Sequence, residues 1–484
     1  MAIYLAIDLG TTGCRSILFD EELHILAMSY REYELITLKE GWTEQDANLW
    51  WELTKETAKE AIAKANISGR EIKSIAISSQ GITIVPVNEK IEPLCNALSW
   101  LDVRAEEECR QLKEDFGSDY IFALTGKPID ACYSLPKILW LKRHQPQIYE
   151  KAWKLLMPLD FLIGKFTGNC VTDHSMASGT LLYDIKNLCW SRELLEHYGI
   201  EENKLPTIMW GDEKAGVVLP EVAQELGLSK DCVVAVGAQD QKCAAYGAGL
   251  EEGVMTISLG TAAAITKRWT QAKTEQNRGV GWCGYVEKDT WVTEGVINTA
   301  GTCLRWVRDI LFPGESYDVL NQEAREALAK GCSLLFYPYL NGPSSPDYYP
   351  EAQGNFYGVN LATRRGDFAL AVMEGIAFQV RILLEAMEAR EGVHTLVIFG
   401  GGASSPLWCQ VIADVTGMQI LVPQTTEAAG AGAAGLAAKA VGETIPALSG
   451  ADIYRPSEQA KEYEEKYQKY RKIEKRLWAQ EEKR

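Results

Sequence analysis

The chain lacks the signals that mark a metalloprotein, a membrane protein or a nucleic-acid binder. Its twelve cysteines, spread from Cys14 to Cys409, form no C-x-x-C pair, and its five histidines include no closely spaced pair. A structural metal site therefore has no ligand spacing to rest on, and the cysteines read as reduced, mostly buried thiols of a cytoplasmic protein. No apolar run is long enough to span a bilayer, and the first residues enter a strand pattern without a basic segment, so neither membrane insertion nor secretion is expected. The sequon Asn66-Ile67-Ser68 then has no role. Lysine and arginine number 49 against 66 aspartates and glutamates, a net charge of −17, which argues against nucleic acid or an anionic membrane as partner. A G-x-x-x-x-G-K-[ST] loop and a G-x-S-x-G elbow are also absent, which removes support for P-loop kinases and α/β-hydrolases.

What is present is a near-repeat. Ile7-Asp8-Leu9-Gly10-Thr11-Thr12-Gly13 returns half a protein later as Ile257-Ser258-Leu259-Gly260-Thr261-Ala262-Ala263. Each reads as a strand running into a Gly-Thr turn, where backbone N–H groups and hydroxyls converge on a point suited to phosphate oxygens. Two such turns facing each other would grip a polyphosphate from both sides. With 484 residues, 46% of them hydrophobic, the chain is long enough for more than one core, and the spacing of the turns favours two domains, 1–248 and 249–484. The hinge is expected in Gly247 to Gly253.

Periodicity predicts a meander over residues 3–8, 14–20 and 25–35, a helix from Ala47 to Ala65 opened by Asp46, and strands at Ile72 to Ile77 and Thr83 to Val87. Residues 100–210 form a large insertion with helices near 105–116, 135–144 and 157–166, suited to a cap or substrate-side subdomain. Val233 to Val236 reads as a strand leading into a small-residue helix. Further strands are expected at 256–258, 263–266, 395–399 and 419–422, with helices at 406–416 and after Glu427. Strand and helix alternate in both halves, as mainly parallel sheets require. A charged tail helix from Ser457 carries Tyr463, Tyr467, Tyr470 and Leu477 on one face, a spacing typical of a packing stripe.

Several positions carry chemistry and a plain structural alternative at once. Asp8 ends a strand beside the first turn, where its carboxylate suits a hydrated Mg²⁺. Asp240, at a strand-to-helix junction between two glutamines, fits either a base for a hydroxyl proton or a helix N-cap. Gly400-Gly401-Gly402-Ala403 allows a ring or ribose to approach the backbone, or simply makes a tight turn. Trp100-Leu101-Asp102-Val103-Arg104 suits a polyol contact or a structural salt bridge, and Gly41 to Asp46 suits a polyol contact or, by a small preference, a helix cap with an aromatic anchor. Gly430-Ala431-Gly432-Ala433-Ala434-Gly435 matches G-x-G-x-x-G literally, but it starts too far from the strand ending at Val422 for a dinucleotide fingerprint. A closely packed small-residue helix accounts for it better.

Taken in order, these motifs resemble the FGGY family of carbohydrate kinases over nearly the whole chain, together with Leu135 to Trp140, Thr172 to Ser178, Met373 to Ala377 and Phe399 to Gln410. The resemblance implies an α/β, two-domain actin-like ATPase (ribonuclease H-like) fold with a central cleft, and ATP-dependent phosphorylation of a sugar hydroxyl. It implies Asp240 as catalytic base, and Gly10, Thr11, Thr12, Gly13, Gly260 and Thr261 on the phosphates. It further implies Gly401, Gly402 and Ala403 on adenosine, with Mg²⁺ near Asp8 and Asp240. The sugar is expected against Gln80, Gly81, Trp100, Asp102, Asp240 and Gln241, the first half being mainly sugar-binding and the second mainly nucleotide-binding. Partners are then a small sugar and ATP, with a homodimer the one protein assembly in view. Three departures fall on the sugar side. Gln80-Gly81-Ile82 stands where xylulose kinases usually read Gln-Met-His and glycerol kinases Gln-Arg-Glu, Cys132 stands where glycerol kinases have Tyr, and Gln353 where many members have Arg. They argue against glycerol and weaken the case for D-xylulose, leaving a ketopentose or related short polyol as the expected substrate. The alternatives are a catalytically silent sugar-binding or regulatory relative and an actin-like chaperone ATPase, which would need a separate peptide-binding domain.

Overall fold

The computed structural model describes residues 2–274, 279–342, 345–347, 349, 351–389, 392–424, 427–444 and 450–478. The first half opens with β1 (Ile3–Leu9), β2 (Gly13–Phe19) and β3 (Ile25–Glu32), the expected meander. Helix α1 (Ala47–Ala65) takes its bounds from its caps: the Asp46 carboxylate accepts from the Asn48 N–H, and Asn66 closes the far end in a left-handed conformation. Then follow β4 (Ile72–Ser79), β5 (Lys214–Val217), β6 (Val233–Ala235), β7 (Ala238–Gln239) and α2 (Asp240–Gly247). The sheet runs β5-β6-β4-β1-β2-β3, with β7 also on β4.

Register explains why distant motifs meet. β1 and β4 are parallel with Asp8 opposite Ser78, and β7 is parallel to β4 with Ala238 opposite Ser78. Gly10, Gln80 and Asp240 therefore all leave the sheet at the carboxyl ends of its parallel strands, the edge where open α/β sheets bind ligands. The strand expected to start at Thr83 begins instead at Val85, because Ile82 takes a left-handed φ of 72° that breaks an extended run. In the insertion, helices Glu106–Phe116, Ser134–His144 and Pro158–Thr167 lie close to the predicted ranges and join the core of the first half.

The second half repeats the plan with β8 (Val254–Leu259), β9 (Ala263–Trp269), β10 (Gly281–Gly284), β11 (Trp291–Ile297), β12 (Thr395–Phe399), β13 (Gln419–Pro423) and β14 (Ala451–Tyr454). Their order is β10-β11-β9-β8-β12-β13-β14, and β8 lies parallel to β12 with Ser258 opposite Phe399. Its helices include α3 (Gly301–Leu311), α4 (Tyr317–Ala329), α5 (Arg365–Ala386), α6 (Pro406–Thr416), α7 (Ala428–Lys439) and α8 (Ala460–Trp478).

Two helices cross between the sheets. A Cβ on Gly247 of α2 would lie 2.1 Å from the Ala428 carbonyl oxygen, and one on Gly432 of α7 would lie 1.9 Å from that of Cys243. Only glycine fits either place, so the literal G-x-G-x-x-G serves helix packing, as its distance from the preceding strand suggested. Helix α7 packs Ala431 and Ala434 against Tyr4 and Ala76 of the first sheet, while Ala244 of α2 packs on Val397 and Phe399 of the second. The link between the halves bends at Gly249 and Gly253, both with left-handed φ.

On α8, Tyr463, Tyr467 and Tyr470 are buried as expected of a packing stripe, but Leu477 is 42% exposed. The helix turns it away, and Ile473 takes the next buried place. All twelve cysteines are free; six are buried, five half-buried and Cys189 exposed, so burial is less general than the sequence suggested. Among the described residues no group of three metal-ligating side chains occurs, and no helix is long and apolar enough to cross a membrane.

Candidate active site

The two Gly-Thr turns share a backbone pattern. In the first, the Gly10 N–H donates to the Gly13 carbonyl at 2.9 Å; in the second, Gly260 donates to Ala262 at 3.0 Å. The next two amides, of Thr11 and Thr12 and of Thr261 and Ala262, donate to nothing among the described residues. Paired free N–H groups of this kind form an anion-binding nest. Carbonyls of the first turn accept from the Tyr33 hydroxyl (Gly10), Gln45 Nε2 (Thr11, 2.8 Å) and the Tyr33 N–H (Thr12, 3.0 Å), while the Thr11 hydroxyl accepts from Trp100 Nε1 at 2.9 Å.

Asp240 heads α2. Its Oδ1 accepts from Gln239 Nε2 at 2.6 Å and from the Gln241 N–H at 2.7 Å, while Oδ2 has no hydrogen bond among the described residues. Burial first, and then the negative charge of Asp8, push its carboxyl up to about 7. Burial likewise raises Asp8, against a 3.0 Å bond from the Ser78 hydroxyl and the charge of Arg15. Two close carboxylates that resist joint ionisation suit a divalent cation, and Mg²⁺ with its retained waters needs only one or two of them. The neighbouring cations are tied to the second half: Lys242 lies 2.7 Å from Glu294, and Arg15 lies 3.2 Å from Glu427.

On the other side of the second turn a cavity of about 410 Å³ is lined by Gly260, Thr261, Gly401 and Gly402 and by Arg305 and Asn321. Gly400 has a φ of 91°, and a Cβ there would meet the Leu259 carbonyl oxygen at 3.0 Å, so glycine lets the turn lie against β8. Ala403 is not on the cavity wall: its methyl group is buried in the core of the second half, because the short 3₁₀ turn Gly401–Ser404 rotates it inward. Arg305 on α3 and Tyr317 and Asn321 on α4 also line the cavity, and no sequence motif marks them. Their helices are amphipathic, and one polar residue at a helix edge gives no sign of a ligand; the Asn321 amide oxygen accepts from Ser405 Oγ at 2.9 Å.

Of the residues expected from the sequence to meet the sugar, Gln80 and Gly81 are buried beside Gln239, and Trp100 is 37% exposed with its indole on the first turn. Asp102 does not reach the cleft. It is 0% exposed and is held by Arg104 through Nε at 2.9 Å and Nη2 at 2.7 Å, and by the Thr43 N–H at 2.7 Å. A substrate would have to break a buried ion pair to touch it, so the salt-bridge reading replaces the polyol one. Arg104 lies in turn 3.9 Å from the Trp42 ring centroid, which makes Gly41 to Asp46 the cap and anchor expected. Gln241 contributes its N–H to Asp240, and its side chain has no hydrogen bond among the described residues.

Models of the FGGY family of carbohydrate kinases match both halves, the N-terminal domain over residues 3–247 and the C-terminal domain over 255–441. A xylulose kinase of Bacillus subtilis (strain 168) is 32% identical, with 90% of this chain and 88% of the relative covered. A glycerol kinase of Thermococcus gammatolerans is also 32% identical, covering 90% and 89%. The crystal structure of a xylulose kinase from Brucella ovis superposes with a TM-score of 0.89 at 29% identity, covering 98% of this chain and 99% of that one. With both halves matched and the two-sheet cleft architecture shared, the chain belongs to the FGGY family of carbohydrate kinases.

Proposed function

We propose that this sugar kinase transfers the γ-phosphoryl group of ATP to a hydroxyl of a neutral ketopentose such as xylulose, or of a related short sugar or polyol. The observation that carries the reading is Asp240: its Oδ1 is fixed by two donors while Oδ2 stays free, at the sheet edge where both halves approach. Oδ2 takes the proton of the attacking hydroxyl as the new P–O bond forms and the bond to the ADP oxygen breaks. The paired free amides of the two turns hold the phosphates, Gly401 and Gly402 lie against adenosine, and Trp100 faces the sugar. Asp8 and Asp240 would hold Mg²⁺ through water, where the ion supplies neutralising charge at the phosphates. Closure of the halves about Gly249 and Gly253 would exclude water.

Relatives named for xylulose and for glycerol are equally identical, so identity does not choose between them. Gly81 and Cys132, which replace the polar residues expected for glycerol, argue against glycerol, while Gly81 also departs from the xylulose kinase pattern, which keeps the reading at a ketopentose or related short polyol. No observation favours a catalytically silent relative, since both turns and both carboxylates are present. A coupled ADP assay over ketoses, aldoses, polyols and sugar acids tests the reading. Sugar-dependent ADP release that falls at least ~10²-fold in Asp240→Ala, with nucleotide binding retained, is expected. ATP hydrolysis independent of sugar and indifferent to that substitution would refute it.

A further inference from the structure

The sugar side holds two amide oxygens in an unusual state. Gln80, 2% exposed, donates Nε2 to Gln45 Oε1 at 3.1 Å, and Gln239 donates Nε2 to Asp240; the Oε1 atoms of both Gln80 and Gln239 are buried and have no partner. They are neighbours, since β7 places Gln239 opposite Ser79. A Cβ on Gly81 would lie 3.1 Å from Gln239 Cγ and 3.6 Å from Met176 Sδ, so the Gln239 side chain stands in the space that a residue larger than glycine at position 81 would need. A buried acceptor without a donor carries an uncompensated desolvation cost, which a donor supplied by a ligand removes.

We propose, on the basis of the kinase reading above, that Gln239 is the specificity-determining residue of the sugar pocket. It takes the place left empty at Gly81 and, with Gln80, presents acceptors to hydroxyls next to the one attacked. The amide oxygens cannot be exchanged for donors, because the Nε2 of Gln239 is held by Asp240 and that of Gln80 by Gln45. The pocket therefore selects neutral sugars that donate hydroxyl hydrogens. A sugar acid brings a carboxylate that can only accept, beside Asp8 and Asp240, while Arg15 and Lys242 are already paired with Glu427 and Glu294.

The test is sugar-dependent ADP release by the full chain with a ketopentose, its deoxy analogues and the matching aldonic acid, comparing the unmodified protein with Gln239→Leu and Gly81→Ala. The unmodified protein is expected to prefer the neutral sugar by ~10²-fold in kcat/KM, two lost hydrogen bonds at about tenfold each. Gln239→Leu keeps most of the volume and loses the amide. It should raise KM for the neutral sugar ~10-fold and erase the penalty for one deoxy analogue. Gly81→Ala, pressing on Gln239, should shift KM in the same direction by less. ADP binding by calorimetry checks that each variant is folded, and Gly81→Ala decides if Gln239→Leu is not. Unchanged KM and selectivity in the folded variants would mean that these oxygens serve buried water alone, and would overturn the proposal, as would preference of the unmodified protein for the acid; both leave the kinase reading standing. No sugar-dependent release with any sugar overturns both.

Discussion

The first Gly-Thr turn is braced by side chains and the second by backbone. Gln45, Tyr33 and Trp100, three side chains of the first half, hold Gly10 to Thr12. Around the second turn the Ala300 and Thr302 N–H groups reach the Thr261 carbonyl at 3.0 and 3.2 Å, and the Gly301 N–H reaches that of Gly260 at 2.9 Å. The same backbone turn is thus wired in opposite directions: the first through a chain Thr11–Gln45–Gln80 toward the residues proposed to meet the sugar, the second to the start of α3 and the cavity beside Gly401 and Gly402. Substitutions should separate the two wirings.

The largest expected effect touches the group between the turns. With Asp240 pushed up to about 7, kcat/KM should fall ~10-fold per pH unit below that point, reaching ~10² by about pH 5. The stability effect has the opposite sense. A carboxyl raised on folding binds its proton more tightly in the native state, so its contribution to stability is present in acid and is lost as pH rises from the ordinary carboxylate range through about 7. Thermal melts across that window should show a slope that is smaller in Asp240→Asn.

Next comes the backbone brace. A Cβ on Gly301 would lie 2.5 Å from the Gly260 carbonyl oxygen, a backbone atom that cannot step aside. Gly301→Ala should weaken ADP binding by ~10- to 100-fold, about 1–3 kcal/mol of overpacking, read by calorimetry with sugar binding little changed. Gln45→Leu should act on the other side: it leaves the Thr11 carbonyl without its donor and Gln80 without its acceptor, costing about 1–3 kcal/mol. Because its chain reaches the sugar side, KM for both sugar and ATP should rise. The smallest effect is expected of Trp100→Phe, which removes one indole donor from Thr11 and should raise KM for ATP by a few-fold, about 1 kcal/mol.

Legibility in the sequence followed how local each signal was. Helix α1 was readable to both ends because its signals are adjacent, with Asp46 before the apolar stripe. The turns were readable because they repeat. Asp102 was ambiguous because a Trp-x-Asp-x-Arg run states both partners of a salt bridge without saying whether solvent reaches them; only the fold around Thr43 and Trp42 closes it off. Ala403 follows two cavity-lining glycines in sequence, yet a 3₁₀ rotation turns its methyl group into the core. Gln239 carries no signal of its own in the sequence, because its significance depends on an absence at Gly81, 158 positions away, which only strand register brings alongside it. Arg305 and Asn321 belong to helices whose pattern reads equally well as packing.

In the proposed mechanism one cleft between the two turns moves phosphate to a sugar through Asp240, and the deciding experiment is ADP release in the presence and absence of a ketopentose, in the unmodified protein and in Asp240→Asn. Release should require the sugar and drop at least ~10²-fold in the variant while ADP still binds. Release at equal rates with and without sugar, or an undiminished rate in Asp240→Asn, would contradict that mechanism.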